Sequence, residues 1–249
     1  MNYKIEGKGE TIVFIHGLSD SLEYWEYLAS NLKNNYQILR MDLRGHGKSE
    51  LQNDKISVDV YTNDLKELLD ELNIHKVNLV GFSLGGLIAL DFVLKYPDMV
   101  SKMVLMSSFA RCDEHLKHVF TQLRNALETG FEDFYDLILP MVLCPDVIED
   151  NRDELNIIKN YASETANTMA YIKAIDACLE FDVEDRLSLI DVPLLVMAGR
   201  HDDLCPCITQ KSYQAMINNS RLIVFDDVKH NILVGKNNMK VLEILEEFF

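Results

Sequence analysis

Apolar residues recur along this chain with two different periods. Short runs rich in branched side chains, suited to strands buried on both faces, lie at 11–15 (TIVFI), 37–41 (QILRM), 77–80 (VNLV), 102–106 (KMVLM), 194–198 (LLVMA) and 221–225 (RLIVF). Between them apolar residues return every three or four positions, as on one helix face. Leu22, Trp25 and Leu28 form one such set, and Leu65, Leu68, Leu69 and Leu72 a second. Leu84, Leu87, Ile88 and Leu90 form a third, and Val241, Leu242, Leu245 and Phe248 close the chain. Strand then helix, repeated, predicts an α/β fold with a mostly parallel central sheet, helices on both faces and right-handed crossovers.

The alternation breaks once, between Arg111 and Arg186. There the strand signals vanish, while Leu116, Val119, Phe120, Leu123, Ala126 and Leu127 share a helix face that Gly130 can end. Residues 131–139 and 169–179 read as further amphipathic helices. The expected organisation is a core of residues 1–110 and 187–249, with a helical cap inserted at 111–186. Open α/β sheets bind ligands at the carboxyl ends of their strands, so a cap there would roof the site. Its Phe120, Phe134, Met141 and Met169 are candidate pocket residues for a mostly apolar substrate. Apolar residues left exposed on such a cap would serve equally well as a homodimer face.

One polar side chain interrupts the apolar pattern where chemistry would need it. In VNLVGFSLGGLIAL, Ser83 lies where strand-like residues give way to helix-like ones, and Gly81-Phe82-Ser83-Leu84-Gly85 matches GxSxG. Such a turn lifts the hydroxyl clear of the sheet, and the flanking glycines make room for close backbone packing. A serine nucleophile needs a base, and the base needs a carboxylate to hold its tautomer. Asp202 follows LLVMA and His230 follows RLIVF, giving the chain order Ser83, Asp202, His230. His201 is too near the acid in sequence to be oriented by it, and Asp203 is the alternative acid. An oxyanion hole would draw on backbone amides of Leu18, after the first buried strand, and of Leu84. His16 then serves to hold that loop.

Composition narrows the partners. Across 249 residues, 24 basic and 40 acidic side chains leave a net charge of −16, which disfavours nucleic acid and anionic membrane surfaces. The N-terminus lacks a signal-peptide pattern, and no stretch reaches the roughly 18 apolar residues of a membrane span. The five cysteines form no disulfide framework, so a cytoplasmic location is expected. Cys205-Pro206-Cys207 lacks the further ligands of a zinc site and is not CxxC, and no metal or other cofactor is expected.

With these motifs in order, the chain resembles the α/β-hydrolase superfamily, in its capped branch of small esterases and lactonases. Besides GFSLGG and HGL, Asp42 to Ser49 (DLRGHGKS) is similar to the family's DxRGxGxS turn, in which Asp42 and Arg44 hold the loop. Tyr96 to Val100 (YPDMV) and Gly199 to Pro206 resemble two further family segments, and Lys229 stands where the family usually has glycine. The resemblance implies a serine hydrolase acting through an acyl-enzyme on a small or medium, largely apolar carboxylic ester. Enol-lactone or C–C bond hydrolysis on the same residues is the alternative, and an anionic lactone would call for a cationic cap residue such as Arg111 or Arg124. A non-catalytic small-molecule receptor is the reading from a different class. Serine at the elbow points away from the dehalogenases and epoxide hydrolases of this fold, which carry aspartate there.

Overall fold

The six apolar runs become six neighbouring strands of one sheet in the computed structural model, which describes residues 1–52 and 55–249. Its strands are β1 (Tyr3–Gly7), β2 (Thr11–Ile15), β3 (Gln37–Met41), β4 (Val77–Phe82), β5 (Val100–Met106), β6 (Leu194–Gly199) and β7 (Ser220–Phe225). They lie in the order β1-β3-β2-β4-β5-β6-β7, parallel throughout except for β1, which runs antiparallel to β3. Ile15 pairs with Gly81, Phe82 with Met106 and Gly199 with Phe225. The carboxyl ends of the central strands are therefore level, and the loops that leave them meet along one edge.

Strand β1 is the one strand of the sheet that the apolar pattern does not predict. All of its residues but Glu6 are exposed, so it has no buried face to write a period into the sequence. Backbone pairing to β3 and a buried cation hold it instead. Arg40, fully buried, donates to Glu6 Oε2 at 2.7 Å and to Glu26 Oε2 at 2.8 Å.

The helices are α1 (Glu26–Leu32, after a 3₁₀ turn at Leu22–Trp25), α2 (Val58–Glu71) and α3 (Leu84–Lys95), then α4 (Glu114–Thr129), α5 (Phe131–Val142), α6 (Pro145–Asp150), α7 (Arg152–Thr165) and α8 (Thr168–Leu179), and finally α9 (Cys207–Gln214) and α10 (Asn237–Phe248). Alternate strand residues face opposite layers. Ile12, Phe14, Val80 and Val104 pack against Trp25, Leu28, Val241 and Leu245, on the side of α1 and α10. Val13, Ile15, Leu79 and Leu105 pack toward α2, α3 and the helices that precede β6.

Helices α4 to α8 form one excursion between β5 and β6. Its two ends are tied together: Arg111 bridges to Asp182, Cys112 N donates to Phe181 O (3.0 Å) and Val183 N donates to Ala110 O (2.9 Å). Asp113 caps α4 by accepting from Leu116 N at 2.9 Å. Helices α6 and α7 add to the three that sequence periodicity predicts here. No residue of α7 is fully buried, and Ile157 and Tyr161 stand exposed on it, so its apolar pattern does not mark one buried face. No helix among the described residues is long and apolar enough to cross a membrane.

Candidate active site

Ser83 sits between β4 and α3 at φ 51 and ψ −117, a backbone conformation strained for any residue with a side chain. Its neighbours hold it there. Ser83 N donates to Met106 O (2.9 Å), while Ser83 O accepts from Gly86 N (2.8 Å) and from Ser108 Oγ (2.9 Å). The turn closes only because its flanks lack side chains. A Cβ on Gly81 would lie 2.4 Å from Gly85 O, and one on Gly85 would lie 2.1 Å from Ile15 O.

Opposite the serine, His230 Nδ1–H donates to Asp202, at 2.9 Å to Oδ2 and 3.1 Å to Oδ1. Both residues are buried. The carboxylate is fixed from behind by the amides of Leu204 (3.0 Å) and Cys205 (2.8 Å), which donate to Oδ1. With Nδ1 occupied as a donor, Nε2 is the acceptor nitrogen, and Ser83 and His230 line the same cavity. Among the described contacts no hydrogen bond joins Ser83 Oγ to Nε2, a bond that resting sites of this kind often hold long and that tightens around substrate. Asp203 turns outward and pairs with Lys229 Nζ at 2.6 Å. Of the two adjacent carboxylates, only Asp202 reaches the imidazole.

Leu84 opens α3, so its amide is one of the unpaired donors of a helix N-terminus, and the Leu18 amide has no acceptor among the described contacts. Leu18 also lines the cavity. The loop that carries it is braced by His16, whose Nδ1 donates to Gly17 O (2.8 Å) and whose Nε2 accepts from Leu43 N (3.0 Å). Burial keeps His16 and its neighbour His46 neutral, each well below the ordinary histidine pKa. Asp42 is a hub of the same region, accepting from Leu22 N (2.7 Å), Lys48 N (2.8 Å) and Asn2 Nδ2 (2.6 Å). Arg44 pairs with Asp64 through Nε at 2.9 Å. Both residues hold loops together, as the resemblance implies.

A cavity of about 290 Å³ opens from the serine up into the excursion. Phe120 of α4 and Phe134 of α5 line it, as expected from sequence, together with Leu155, Ile158 and Ala162 of α7. Met141 and Met169 do not. Met141 lies at the edge of the stripe that α5 turns to the cavity and packs into the neighbouring core, while Met169, in the first turn of α8, is 57% exposed. Leu155, Ile158 and Ala162 went unrecognised because α7 was unrecognised, although their i, i+3, i+7 spacing is a helical signal. Asp20 also lines the cavity and was not singled out by any motif.

The end of α5 is fastened to the loop that carries His230. Lys229 Nζ donates to Pro140 O (2.7 Å), Asn231 N donates to Val142 O (3.0 Å), and the Cys144 thiol donates to Asp227 O (3.7 Å). Tyr24 Oη donates to Asn231 Oδ1 (2.9 Å), and the Tyr24 ring stacks on Phe82, next to Ser83.

Known proteins are similar to this chain along nearly its whole length. A candidate carbamate hydrolase, RutD, from Agrobacterium fabrum (strain C58) is 26% identical, with 99% of this chain and 97% of that protein covered. Pyrrolizixenacetamide deacetylase from Xenorhabdus hominickii is 27% identical over 89% of this chain and 84% of its own. The crystal structure of MGS-M2, an alpha/beta hydrolase enzyme from a Medee basin deep-sea metagenome library, superposes with a TM-score of 0.92 at 25% identity, covering 99% of this chain and 93% of that one. The family model for the alpha/beta hydrolase fold matches residues 10–236, and the chain belongs to that family.

Proposed function

We propose that this protein is a serine hydrolase that cleaves a small or medium, largely apolar carboxylic ester through an acyl-enzyme intermediate. The observation that carries the reading is the shared cavity of Ser83 and an imidazole whose Nδ1 is held by Asp202, which leaves Nε2 facing inward as a base. In the first step His230 takes the Ser83 proton as Oγ attacks the carbonyl carbon. The Leu18 and Leu84 amides donate to the developing oxyanion, and the Asp202 carboxylate stabilises the imidazolium. His230 then gives its proton to the departing alkoxide. A water, deprotonated by the same nitrogen, attacks the acyl-enzyme, and the carboxylic acid leaves as Ser83 is reprotonated.

The cavity lining supports a neutral rather than an anionic substrate. Arg111 pairs with Glu184 at 3.1 Å and Arg124 with Asp176 at 2.9 Å, and neither lines the cavity. This argues against an anionic enol-lactone.

The test is hydrolysis of p-nitrophenyl esters from acetate to octanoate by wild type and Ser83→Ala, with fluorophosphonate labelling alongside. The expected outcome is chain-length-dependent turnover and labelling, both abolished in Ser83→Ala. Labelling without ester turnover would move the reading to lactone or C–C bond substrates, and the absence of both would favour the receptor.

A further inference from the structure

One charged group in the cavity has no part in this chemistry. Asp20 ends the turn after β2, where Ser19 adopts φ 60 and Asp20 N approaches Gly17 O at 3.4 Å. Its carboxylate lines the cavity with Leu18, Ser83 and His230, and among the described residues no hydrogen bond or salt bridge engages it. The titratable groups that feel it are His230 from the loop after β7, Tyr24 from the 3₁₀ turn and Tyr171 from α8. None of them pairs with it. His230 gives its Nδ1 proton to Asp202, and Tyr24 donates to Asn231. No lysine or arginine lines the cavity, and the rest of its wall is largely apolar.

Asp20 is half-buried, and a ligand that fills the cavity strips its carboxylate of water at a cost unless something complements it. Burial holds Asp20 well above the usual carboxylate range, pushed up to about 7, with His230 pulling the other way. An apolar ester would leave that cost in place, and an anionic one would add repulsion. A ligand with a positively charged nitrogen would supply the missing partner through a charge-assisted hydrogen bond. The net charge of −16 attracts such a ligand from solution.

We propose that Asp20 is a specificity-determining residue that receives a protonated or quaternary amine, so that the preferred substrates are esters carrying an ammonium group beside an apolar acyl or alcohol chain. The catalytic half of this statement rests on the serine-hydrolase reading. The recognition half does not, and binding alone can test it.

The experiment has a binding arm and a turnover arm, both at about pH 8, where the Asp20 carboxylate is ionised. Calorimetry compares hexylammonium with hexan-1-ol on wild type, Asp20→Asn and Asp20→Ser. Turnover compares two isosteric pairs: p-nitrophenyl 6-aminohexanoate against the heptanoate, with the charge on the acyl side, and butyrylcholine against 3,3-dimethylbutyl butyrate, with the charge on the alcohol side. Hexylammonium is expected to bind at least about tenfold more weakly to both variants while hexan-1-ol is little affected, as for loss of a hydrogen bond to a charged group. The cationic-to-neutral ratio of kcat/KM falls by a similar factor in one pair, and that pair identifies the side that carries the amine. Equal hexylammonium affinity in wild type and variants, or no binding to any of them, overturns the proposal even if neutral esters are hydrolysed. If the binding difference holds but no ester turns over and Ser83 resists fluorophosphonate, the cation site stands and the hydrolase reading falls.

Discussion

At the scale of single residues, two adjacent carboxylates take different parts because the backbone aims them apart. Asp202 meets the imidazole and two amides, whereas Asp203 meets Lys229 at the surface. Asp202→Asn is expected to lower kcat by about 10⁴-fold, since the amide holds the wrong tautomer. Asp203→Asn should stay within about tenfold of wild type, as for a single exposed ion pair; steady-state kinetics on any ester that turns over separates the two, and equal losses would refute the assignment. Ser83, Asp202 and His230 were legible in the sequence because each follows an apolar strand, in a known order. Asp20 was not. One acidic residue in HGLSDS looks like an ordinary turn residue until tertiary packing places it in the wall of the cavity, which no local spacing records.

At the scale of elements, legibility follows how strongly each one divides buried from exposed. Strands β2 to β7 and helices α2, α3, α4 and α10 bury a face and were readable. Strand β1, exposed along nearly its whole length, and α7, with no fully buried residue, were not. Yet α7 supplies part of the cavity wall through Leu155, Ile158 and Ala162. Enlarging that wall changes the room for substrate while the serine and histidine loops stay untouched. Ala162→Trp should therefore shift the p-nitrophenyl ester optimum toward short acyl chains, with octanoate losing more than about tenfold relative to acetate, the scale of excluding a few methylenes from an apolar pocket. An unchanged chain-length profile would show that the acyl chain runs elsewhere.

At the scale of the whole molecule, the loops at the carboxyl edge are bound to the core by neutral, buried histidines, and this sets how the fold responds to acid. His16 and His46 have folded pKa values depressed by burial, while unfolded histidines titrate near about 6.5. Below that pH the unfolded chain takes up protons that the native state refuses, so stability is present at neutral pH and lost as pH falls. Urea midpoints should drop between about pH 7 and pH 5, and His46→Gln should reduce the pH slope of the unfolding free energy by about one proton. A slope that does not respond to His46→Gln would assign the acid sensitivity to other groups. The fastening of α5 to the His230 loop has a consequence of another kind. The wall of the cavity and the loop that carries His230 are joined directly, without the sheet between them. A shift of the end of α5 pulls on Lys229 and Asn231, the two residues that flank His230. A substitution that weakens these bonds would therefore disturb the cavity wall and the histidine loop together.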